Sequence, residues 1–542
     1  MLDAAPKHTE APAYDHAGEA RRVSWPDVLV GGKRLNRGTA TVAVAGPVET
    51  PEAEAARKAV TARLFTTTLA VDSPVVELGW PVHGPFVLAP FGTYYDAYLG
   101  VAQKILDEHH PRFEKMVDDL RAADVLLRRE IATDDYLTTR PGSPVKTPAD
   151  LGALWNDALQ ARWPLADGWR AFFSSSGTEA VEAALKLCYE VAYKRFVAAH
   201  GMATFRRVQE ALGTPVVPFF ERDPSLKDHP VYADYPFQMV ACETSFHGRT
   251  LGSLHLTRSK RAHHLGYPKA QNVHHVPYNA KDDPVRALVD FRGIDEILAI
   301  PGELVRVMRG QRKIPKDLFA GFVAEPFQGE GGYVPGDPAF FQAVRRVCDE
   351  TGGLLVCDEV QSVARTGKLF ATEHLGMRPD VLATAKSMVI GVTVAGAHLE
   401  KHLHNGWHSN TWGAGRVLDV NFAWTVLDTM LHHKDPAFSG LSYFENEVVK
   451  GARLAAGLDR LLERHPTLFV AHRGLGLMRG LVVRKRDAIV HQGWLHGLKL
   501  LGCGYSCDTA VIRVLFLADT LTREIDEFLR LFDQVLTVVD QA

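Results

Sequence analysis

The sequence predicts an α/β protein with a large domain, built on a mostly parallel central sheet flanked by helices, and a smaller α+β domain. The chain has 542 residues, whereas a single hydrophobic core usually stops growing at about 250–300 residues. Its middle part alternates short apolar runs with helical segments, a pattern that is typical of parallel α/β sheets. Two long helical patterns, at 419–433 and 443–464, then precede short strand patterns at 477–483 and 511–516.

This organisation predicts four segments. Residues 1–75 form an N-terminal extension that matches no functional pattern. Residues 76–125 lead into a predicted helix, and we expect them to contribute to the smaller domain and to the entrance of a site. Residues 126–412 form the predicted large, ligand-binding domain, and residues 413–542 form the C-terminal small domain.

The composition excludes several classes of function. Lys and Arg total 61 against 64 Asp and Glu, which gives a formal net charge of -3, so neither nucleic acid nor a membrane surface is expected as the main partner. The six cysteines lie mostly in apolar runs, which predicts buried, reduced thiols rather than a metal site. Neither a signal peptide nor a membrane-spanning run is visible, so a cytoplasmic location is expected.

Charged side chains follow the predicted strands of the middle region. Because the carboxyl ends of parallel strands meet at one edge of an open α/β sheet, where ligands bind, such residues are candidates for a site. One charged strand end means little, but four in the same part of the chain favour a site. The four apolar runs are 239–242 before Glu243, 321–324 before Glu325, 354–357 before Asp358 and 381–385 before Lys386.

A helix start follows another apolar run. Ser176 and Glu179 have the spacing of a capping box, and Gly177 and Thr178 lie between them. The free N–H groups and the dipole of a helix N-terminus favour a phosphate. The alternative is an ordinary capped helix.

Asp358 and Lys386 suggest a specific chemistry. A carboxylate beside a pyridine nitrogen keeps that nitrogen protonated, so that the ring can accept the electrons of a carbanion. A partly buried lysine can form an imine and later move a proton. The alternatives are a cap beyond a strand for Asp358 and a solvated surface side chain for Lys386, and the combination with the helix start favours the chemical interpretation.

Six motifs carry a resemblance to a known family. They are Ser176–Ala180, Phe246–Thr250, Glu325–Gly332, Asp358–Gln361, Lys386 and Thr411–Gly413. Their order and spacing resemble those of the class III aminotransferases of fold type I, which use pyridoxal 5'-phosphate. The similarity extends from about residue 80 to residue 535.

The resemblance implies a role for each residue at a pyridoxal-phosphate site. Lys386 carries the cofactor as a Schiff base and moves the substrate proton, and Asp358 pairs with the ring nitrogen. Phe246 stacks on the ring, where the alternative is an ordinary core aromatic. The other implied contacts are Gly177 and Thr178 with the phosphate through their backbone, Gln361 with the ring hydroxyl, Ser176 and Glu325 elsewhere in the cofactor site, and Thr411 with the phosphate in a neighbouring subunit. The last contact implies an obligate homodimer with composite sites, and a tetramer remains open.

Three further residues bear on the substrate. Arg249 matches an arginine that holds the carboxylate of ω-amine donors, for which a planar guanidinium is suited. Glu330 and Arg513 match a switch pair. The glutamate neutralises the arginine when an ω-amine donor binds and releases it to hold the α-carboxylate of glutamate or 2-oxoglutarate. The alternative is a structural ion pair.

The resemblance therefore predicts transfer of the terminal amino group of an ω-amino acid or diamino acid to 2-oxoglutarate, giving a semialdehyde and glutamate. Lysine is the first expected donor, because Trp412 and residues 391–396 are similar to lysine 6-aminotransferases. Residues 501–504 are similar both to that group and to 4-aminobutyrate aminotransferases. Donors such as 4-aminobutyrate, ornithine and acetylornithine, a pyruvate-linked amine transaminase, and a decarboxylase, racemase or aminomutase remain alternatives. So does a non-catalytic regulatory protein on the same fold.

Overall fold

The computed structural model describes residues 28–30, 33–35, 82–89, 92–126, 142–212, 236–267, 272–308, 313–404, 406–409, 416–505 and 510–542. Internal contacts divide the chain into two compact units. The terminal unit comprises Met1–Asp118, Ala364–Leu369 and Asp428–Ala542, and the central unit comprises Asp119–Val363 and Phe370–Leu427. The domain boundaries predicted at residues 75, 125 and 412 stay predictions.

Seven strands form the main sheet of the central unit, namely β1 (Trp169–Ser174), β2 (Gln238–Cys242), β3 (Val273–Val276), β4 (Phe319–Ala324), β5 (Leu354–Asp358), β6 (Val381–Thr384) and β7 (Gly391–Gly396). Their spatial order is β1-β7-β6-β5-β4-β2-β3. The neighbours from β6 to β3 pair in parallel, and β7 is antiparallel to both of its neighbours. This arrangement confirms the predicted, mostly parallel sheet.

The inner strands are apolar on both faces because helices cover the sheet. Every residue of β2, β4, β5 and β6 is buried, which explains why their sequences lack the alternation of a half-exposed strand. The helix Gly177–Leu212 packs Val181, Leu185 and Cys188 into this core. It is interrupted at Gly201, whose φ of 76° is left-handed.

Local signals set the starts of the other helices in the central unit. Pro338–Thr351 begins with proline after Asp337, whose side chain accepts from Ala339 N. Pro148–Gln160 begins with a capping box between Thr147 and Asp150. The remaining helices and 3₁₀ turns there are Leu251–Leu254, Arg261–His263, Pro284–Leu288, Ile294–Leu298, Glu303–Met308, Lys316–Leu318, Ala371–His374, Lys386–Met388 and Ala397–His402. Two short strand pairs complete it, Val289–Asp290 with Ile314–Pro315 and Phe327–Gln328 with Val334–Pro335. The helix Val417–His432 runs to the end of this unit and beyond it.

The terminal unit combines helices with an antiparallel sheet, as predicted for the smaller α+β domain. Its strands lie in the order Phe469–Leu475, Met478–Val483, Ala510–Leu515 and Leu501–Tyr505. A second sheet joins Leu498–Lys499, Gly92–Asp96, Phe86–Ala89 and Val82–His83. The helices are Leu99–Ala102, Tyr443–Arg464, Arg486–Leu495 and Thr522–Gln541, with a 3₁₀ turn at Pro436–Phe438. The helix Pro111–Ala122 begins in this unit and ends in the central unit. The hairpin Val28–Val30 with Lys33–Leu35 is also described.

Two further predictions concern the part of the chain that the structure describes. Its five cysteines, Cys188, Cys242, Cys348, Cys357 and Cys503, are all buried with free thiols, as expected, and Cys507 lies outside the described residues. Among the described helices, none has the length and apolar character needed to cross a bilayer.

Candidate active site

The predicted catalytic residues lie on neighbouring strands at one edge of the central sheet. Asp358 ends β5, and Lys386 begins the 3₁₀ turn that follows β6. Asp358 lies opposite Ala383 of the neighbouring parallel strand. Lys386 follows shortly after Ala383, so it lies near the carboxylate end of β5. Lys386 is half-buried and has a φ of 50°. A non-glycine residue rarely adopts this conformation, and such strain is concentrated at functional sites.

The helix that starts at Gly177 reaches the same edge because its first residue has no side chain. A Cβ at Gly177 would lie 2.8 Å from Val360 Cγ1, closer than packed atoms allow, and 3.3 Å from Ala385 Cβ, which is a tight contact. A Cβ at Gly391, the first residue of β7, would lie 2.2 Å from the Ser176 carbonyl oxygen. Glycine at both positions therefore lets the helix N-terminus, a site that favours phosphate, approach the ends of β5 and β6.

Ser176 and Thr178 flank that glycine. Ser176 Oγ accepts from Glu179 N at 3.5 Å, as the predicted capping box requires. Glu179 Oε2 accepts from Ser175 N at 2.6 Å, so the return bond is shifted by one residue. Thr178 Oγ1 lies 2.6 Å from Ser253 Oγ. The Thr178 hydroxyl thus anchors the loop after β2, and its predicted contact with a phosphate rests on its backbone N–H alone.

The Asp358 carboxylate is held by the buried imidazole of His247, to which the sequence motifs assign no role. Asp358 is 4% exposed, and its Oδ2 lies 2.8 Å from His247 Nδ1. Because a carboxylate only accepts, His247 Nδ1 carries the proton. Asp358 Oδ1 accepts from Val360 N at 3.0 Å. These two donors stabilise the ionised carboxylate that a protonated ring nitrogen requires. His247 could have been found from the sequence, because it directly follows Phe246 in the motif Phe246–Thr250.

Glu325 fixes the backbone around Phe246. Its Oε2 accepts from Phe246 N and its Oε1 accepts from Gly329 N, both at 2.9 Å. Burial raises the pKa of Glu325 to about 7, and the nearby Asp358 charge adds to this increase while His247 opposes it. Glu325 therefore connects two loops of the site through their main chains, and its predicted contact with a cofactor stays a prediction.

Gln361 offers a buried polar atom to a ligand. Its Oε1 is buried and has no hydrogen-bond partner among the residues that the structure describes. A Cβ at Gly329 would lie 2.2 Å from that oxygen, so the glycine provides the room that the amide occupies. Buried polar atoms in native proteins are almost always satisfied, and a ligand hydroxyl would satisfy this one.

Arg249 is held by a histidine beside Phe246. Arg249 Nη2 lies 2.9 Å from His263 Nε2, and the His263 ring packs edge-on against Phe246 with 5.7 Å between centroids. Burial, with the charges of Arg249 and Lys260, lowers the pKa of His263 to about 4. The neutral ring therefore accepts from the guanidinium, which can only donate.

The predicted switch residues lie in different units. Glu330 Oε2 lies 3.2 Å from Lys260 Nζ in the central unit. Arg513 is buried in the strand Ala510–Leu515 of the terminal unit, where its Nη2 donates to the Gly502 carbonyl at 3.2 Å. The pairing of Glu330 with Arg513 stays a prediction, and Thr411 lies outside the described residues.

The residues at this edge fit pyridoxal phosphate. The N-terminus of the helix at Gly177 suits the phosphate, Asp358 suits a protonated ring nitrogen, Gln361 suits the ring hydroxyl, and the Lys386 amine suits the aldehyde. A mostly parallel α/β sheet with these groups at its carboxyl edge defines a pyridoxal-phosphate-dependent protein of fold type I.

Within that class, the chain belongs to the class III aminotransferases, because the family model described as aminotransferase class-III matches residues 92–536. Acetylornithine aminotransferase from Gloeobacter violaceus is 35% identical over 305 residues, which are 55% of this chain and 66% of that protein. Putrescine aminotransferase from Pectobacterium atrosepticum is 30% identical over 327 residues, 58% of this chain and 55% of that protein. These two matches thus span less than two thirds of the relatives' own length. Lysine aminotransferase from M. tuberculosis, at 24% identity and a TM-score of 0.65, shares the fold over 89% of this chain and 99% of its own.

Proposed function

We propose that this chain is an aminotransferase that moves the terminal amino group of an ω-amino acid to 2-oxoglutarate. Lysine is the first donor proposed, with acetylornithine, ornithine and 4-aminobutyrate next. The observation that carries the proposal is the joint placement of Lys386 and Asp358 on neighbouring strand ends. Relatives that act on acetylornithine and putrescine support a terminal amine as the reacting group.

The carboxylate of the donor distinguishes these candidates from a simple diamine. Arg249 is exposed, and its guanidinium is oriented by His263 beside Phe246. Such a fork suits a carboxylate. An ω-amino acid presents one at the end opposite its reacting amine, whereas putrescine has none. The position of Arg249 therefore favours an amino acid donor.

The chemistry follows from the positions of these residues. When bound, pyridoxal phosphate supplies an electrophilic carbon and a ring that accepts the electrons of a carbanion. Gly177 and Thr178 hold the phosphate with backbone N–H groups. Asp358, fixed by His247, keeps a proton on the ring nitrogen. Lys386 Nζ takes the proton from the carbon that bears the donor amine, and Arg249 holds the far carboxylate so that this carbon stays within reach.

The proposed enzyme works as a homodimer in which Thr411 of one subunit completes the phosphate site of the other. The buried thiols of the described cysteines favour a reducing, cytoplasmic setting. Light scattering on the holoprotein should give a mass of about twice 59.8 kDa or a multiple of that dimer. An active monomer would contradict the composite site.

The function is tested by half-reactions followed through the visible absorbance of the bound cofactor. Lysine, acetylornithine, ornithine, 4-aminobutyrate, putrescine, alanine and glutamate are added singly, without an acceptor. We expect glutamate and at least one ω-amino acid to convert the cofactor to its aminated form, with lysine reacting fastest. If alanine reacts and glutamate does not, the enzyme is a pyruvate-linked amine transaminase. If no compound reacts, the non-catalytic alternative gains.

A further inference from the structure

Three hydroxyl groups connect the first turn of the helix Gly177–Leu212 to the loop after β2. The Thr178 hydroxyl oxygen lies 2.6 Å from that of Ser253 and 2.8 Å from that of Thr250, and the Thr250 and Ser253 oxygens are 3.0 Å apart. Ser253 is completely buried. These three side chains, which we call the hydroxyl cluster, therefore join the helix and the loop within the central unit.

Glu182, on the next turn of the same helix, holds the loop side of the hydroxyl cluster. Its Oε1 accepts from the Thr250 hydroxyl at 2.5 Å and from Ser253 N at 3.2 Å. Thr250 precedes the short helix Leu251–Leu254 and makes no side-chain capping bond to it, so Glu182 supplies an acceptor for the start of that helix. Because a carboxylate only accepts, the Thr250 proton goes to Glu182, and the Thr250 oxygen is left to accept from a neighbouring hydroxyl.

Two glycines allow the loop to approach the helix this closely. A Cβ at Gly248, whose φ is 125°, would lie 2.1 Å from Thr178 Oγ1, and a Cβ at Gly252 would lie 2.7 Å from Glu182 Oε1. A side chain at either position would displace a polar group of the contact. The sequence of the loop is therefore suited to this approach at both points where the Thr178 and Glu182 side chains meet it.

The helix and the loop carry different parts of the candidate site. The helix offers its first N–H groups, at Gly177 and Thr178, to a phosphate. The loop carries Phe246, which is predicted to stack on the cofactor ring, and His247, which holds Asp358. A bound cofactor meets both parts at once, so their spacing has to be held to a fraction of an ångström by contacts behind the site.

We propose that Glu182 is a positioning residue for the cofactor, because it holds the phosphate-binding turn of the helix in register with the loop that carries the ring contacts. This inference rests on the proposed function, in which Gly177 and Thr178 hold the phosphate. Glu182 acts on Thr178 through Thr250 and Ser253. It therefore increases the affinity that the phosphate adds to the cofactor and leaves the affinity for the ring nearly unchanged.

The test compares pyridoxal phosphate with pyridoxal, which has the same ring and aldehyde but lacks the phosphate. The dissociation constant of each compound is measured by titrating the full-length apoenzyme and following the absorbance of the bound ring. For Glu182→Ala, we expect the constant for pyridoxal phosphate to rise about tenfold, as for the loss of hydrogen bonds to a charged group. The constant for pyridoxal should change by less than about threefold.

Two further variants separate a lost acceptor from a lost charge. Glu182→Gln should retain most of the affinity for pyridoxal phosphate, because an amide oxygen can still accept from Thr250 and Ser253. Glu210→Ala is the matched control, since Glu210 is an exposed glutamate near the other end of the same helix; it should change neither constant. In a Thr250→Val background, Glu182→Ala should raise the constant for pyridoxal phosphate by less than about threefold, because the hydroxyl that Glu182 holds is gone.

Three outcomes would overturn the proposal. An equal rise in both constants for Glu182→Ala would mean that Glu182 supports only the fold, and no change in either would mean that the contact is dispensable. Tighter binding of pyridoxal phosphate by both Glu182 variants would mean that repulsion between the carboxylate and the phosphate dominates. A wild type that binds the two compounds equally would instead reject the phosphate site of the proposed function, so the two failures are distinguishable.

Discussion

The proposed site has two ends that are built in different ways: a cofactor end with Asp358, His247 and Glu325, and a donor end with Arg249 and Lys260. At the cofactor end, Asp358, His247 and Glu325 are buried, and backbone N–H groups donate to three of the four carboxylate oxygens. At the donor end, Arg249 is exposed and Lys260 is half-buried. Arg249 contacts the side chain of His263, and Lys260 contacts the side chain of Glu330.

This difference predicts that residues of the cofactor end determine the rate of every reaction, whereas residues of the donor end determine the choice of substrate. Backbone donors cannot move without moving strands and loops, so the carboxylates of the cofactor end keep one geometry through both half-reactions. The exposed guanidinium of Arg249 can exchange partners at modest free-energy cost. Substitutions at the cofactor end should therefore lower every reaction together, while substitutions at the donor end should change the ratio between substrates.

The largest effect is expected for Lys386→Ala. Removing the amine takes away both the attachment point and the base, so turnover of lysine with 2-oxoglutarate should fall by at least about 10⁴-fold. The variant should still bind pyridoxal phosphate, because Gly177 and Asp358 are unchanged. Steady-state glutamate formation measures the loss, and Lys281→Ala is the matched control. Substantial residual turnover would reject Lys386 as the catalytic lysine.

The second largest effect is expected for Asp358→Asn, which should lower turnover by about 10²–10³-fold with every donor. An amide cannot keep a proton on the ring nitrogen as a carboxylate does, whereas its shape still fits beside His247. The loss should be the same for lysine and for glutamate half-reactions. A loss confined to one substrate would indicate that Asp358 acts on that substrate, and it would contradict the expectation that substitutions at the cofactor end affect every reaction equally.

Arg249→Gln should have a smaller and selective effect. Loss of a charge-assisted contact should lower kcat/KM for lysine by about 10–100-fold. An amine of similar length without a carboxylate should react within about threefold of its wild-type rate. Arg292→Gln, which removes an exposed arginine of the same unit, is the control. An equal loss with both amines would mean that Arg249 supports the fold rather than the donor.

The sequence predicted the cofactor end better than the donor end for a physical reason. Buried strands and capped helices are local patterns, so the ends of β5 and β6 and the helix Tyr443–Arg464 could be placed from the sequence. Contacts between side chains far apart in the chain depend on folding. His247 and Asp358 are 111 positions apart in the chain, and neither this pair nor the pair Lys260–Glu330 has such a local pattern. The sequence motifs pair Glu330 with Arg513, which stays a prediction, and they assign no role to Lys260.

Glu325→Gln should have the smallest effect on turnover and a distinct effect on the pH dependence of stability. The folded pKa of Glu325 is about 7 against 4.5 for an ordinary glutamate. A carboxyl with a raised folded pKa contributes stability that is present below pH 4.5 and lost as the pH rises to about 7. The loss is on the order of 3 kcal/mol, from 1.36 kcal/mol for each pKa unit.

Glutamine is neutral throughout and keeps one acceptor for Phe246 N or Gly329 N. The Tm of Glu325→Gln holoenzyme should therefore start lower at pH 4.5 and change less between pH 4.5 and 7 than the wild-type Tm. Thermal unfolding across that range measures the slope, and Glu350→Gln, at a surface ion pair with Arg286, should keep the wild-type slope. Parallel curves for Glu325→Gln and the wild type would show that Glu325 does not change protonation on folding. Glu325 would then be ionised at neutral pH beside the Asp358 carboxylate, and His247 would be the group that offsets the repulsion between the two carboxylates.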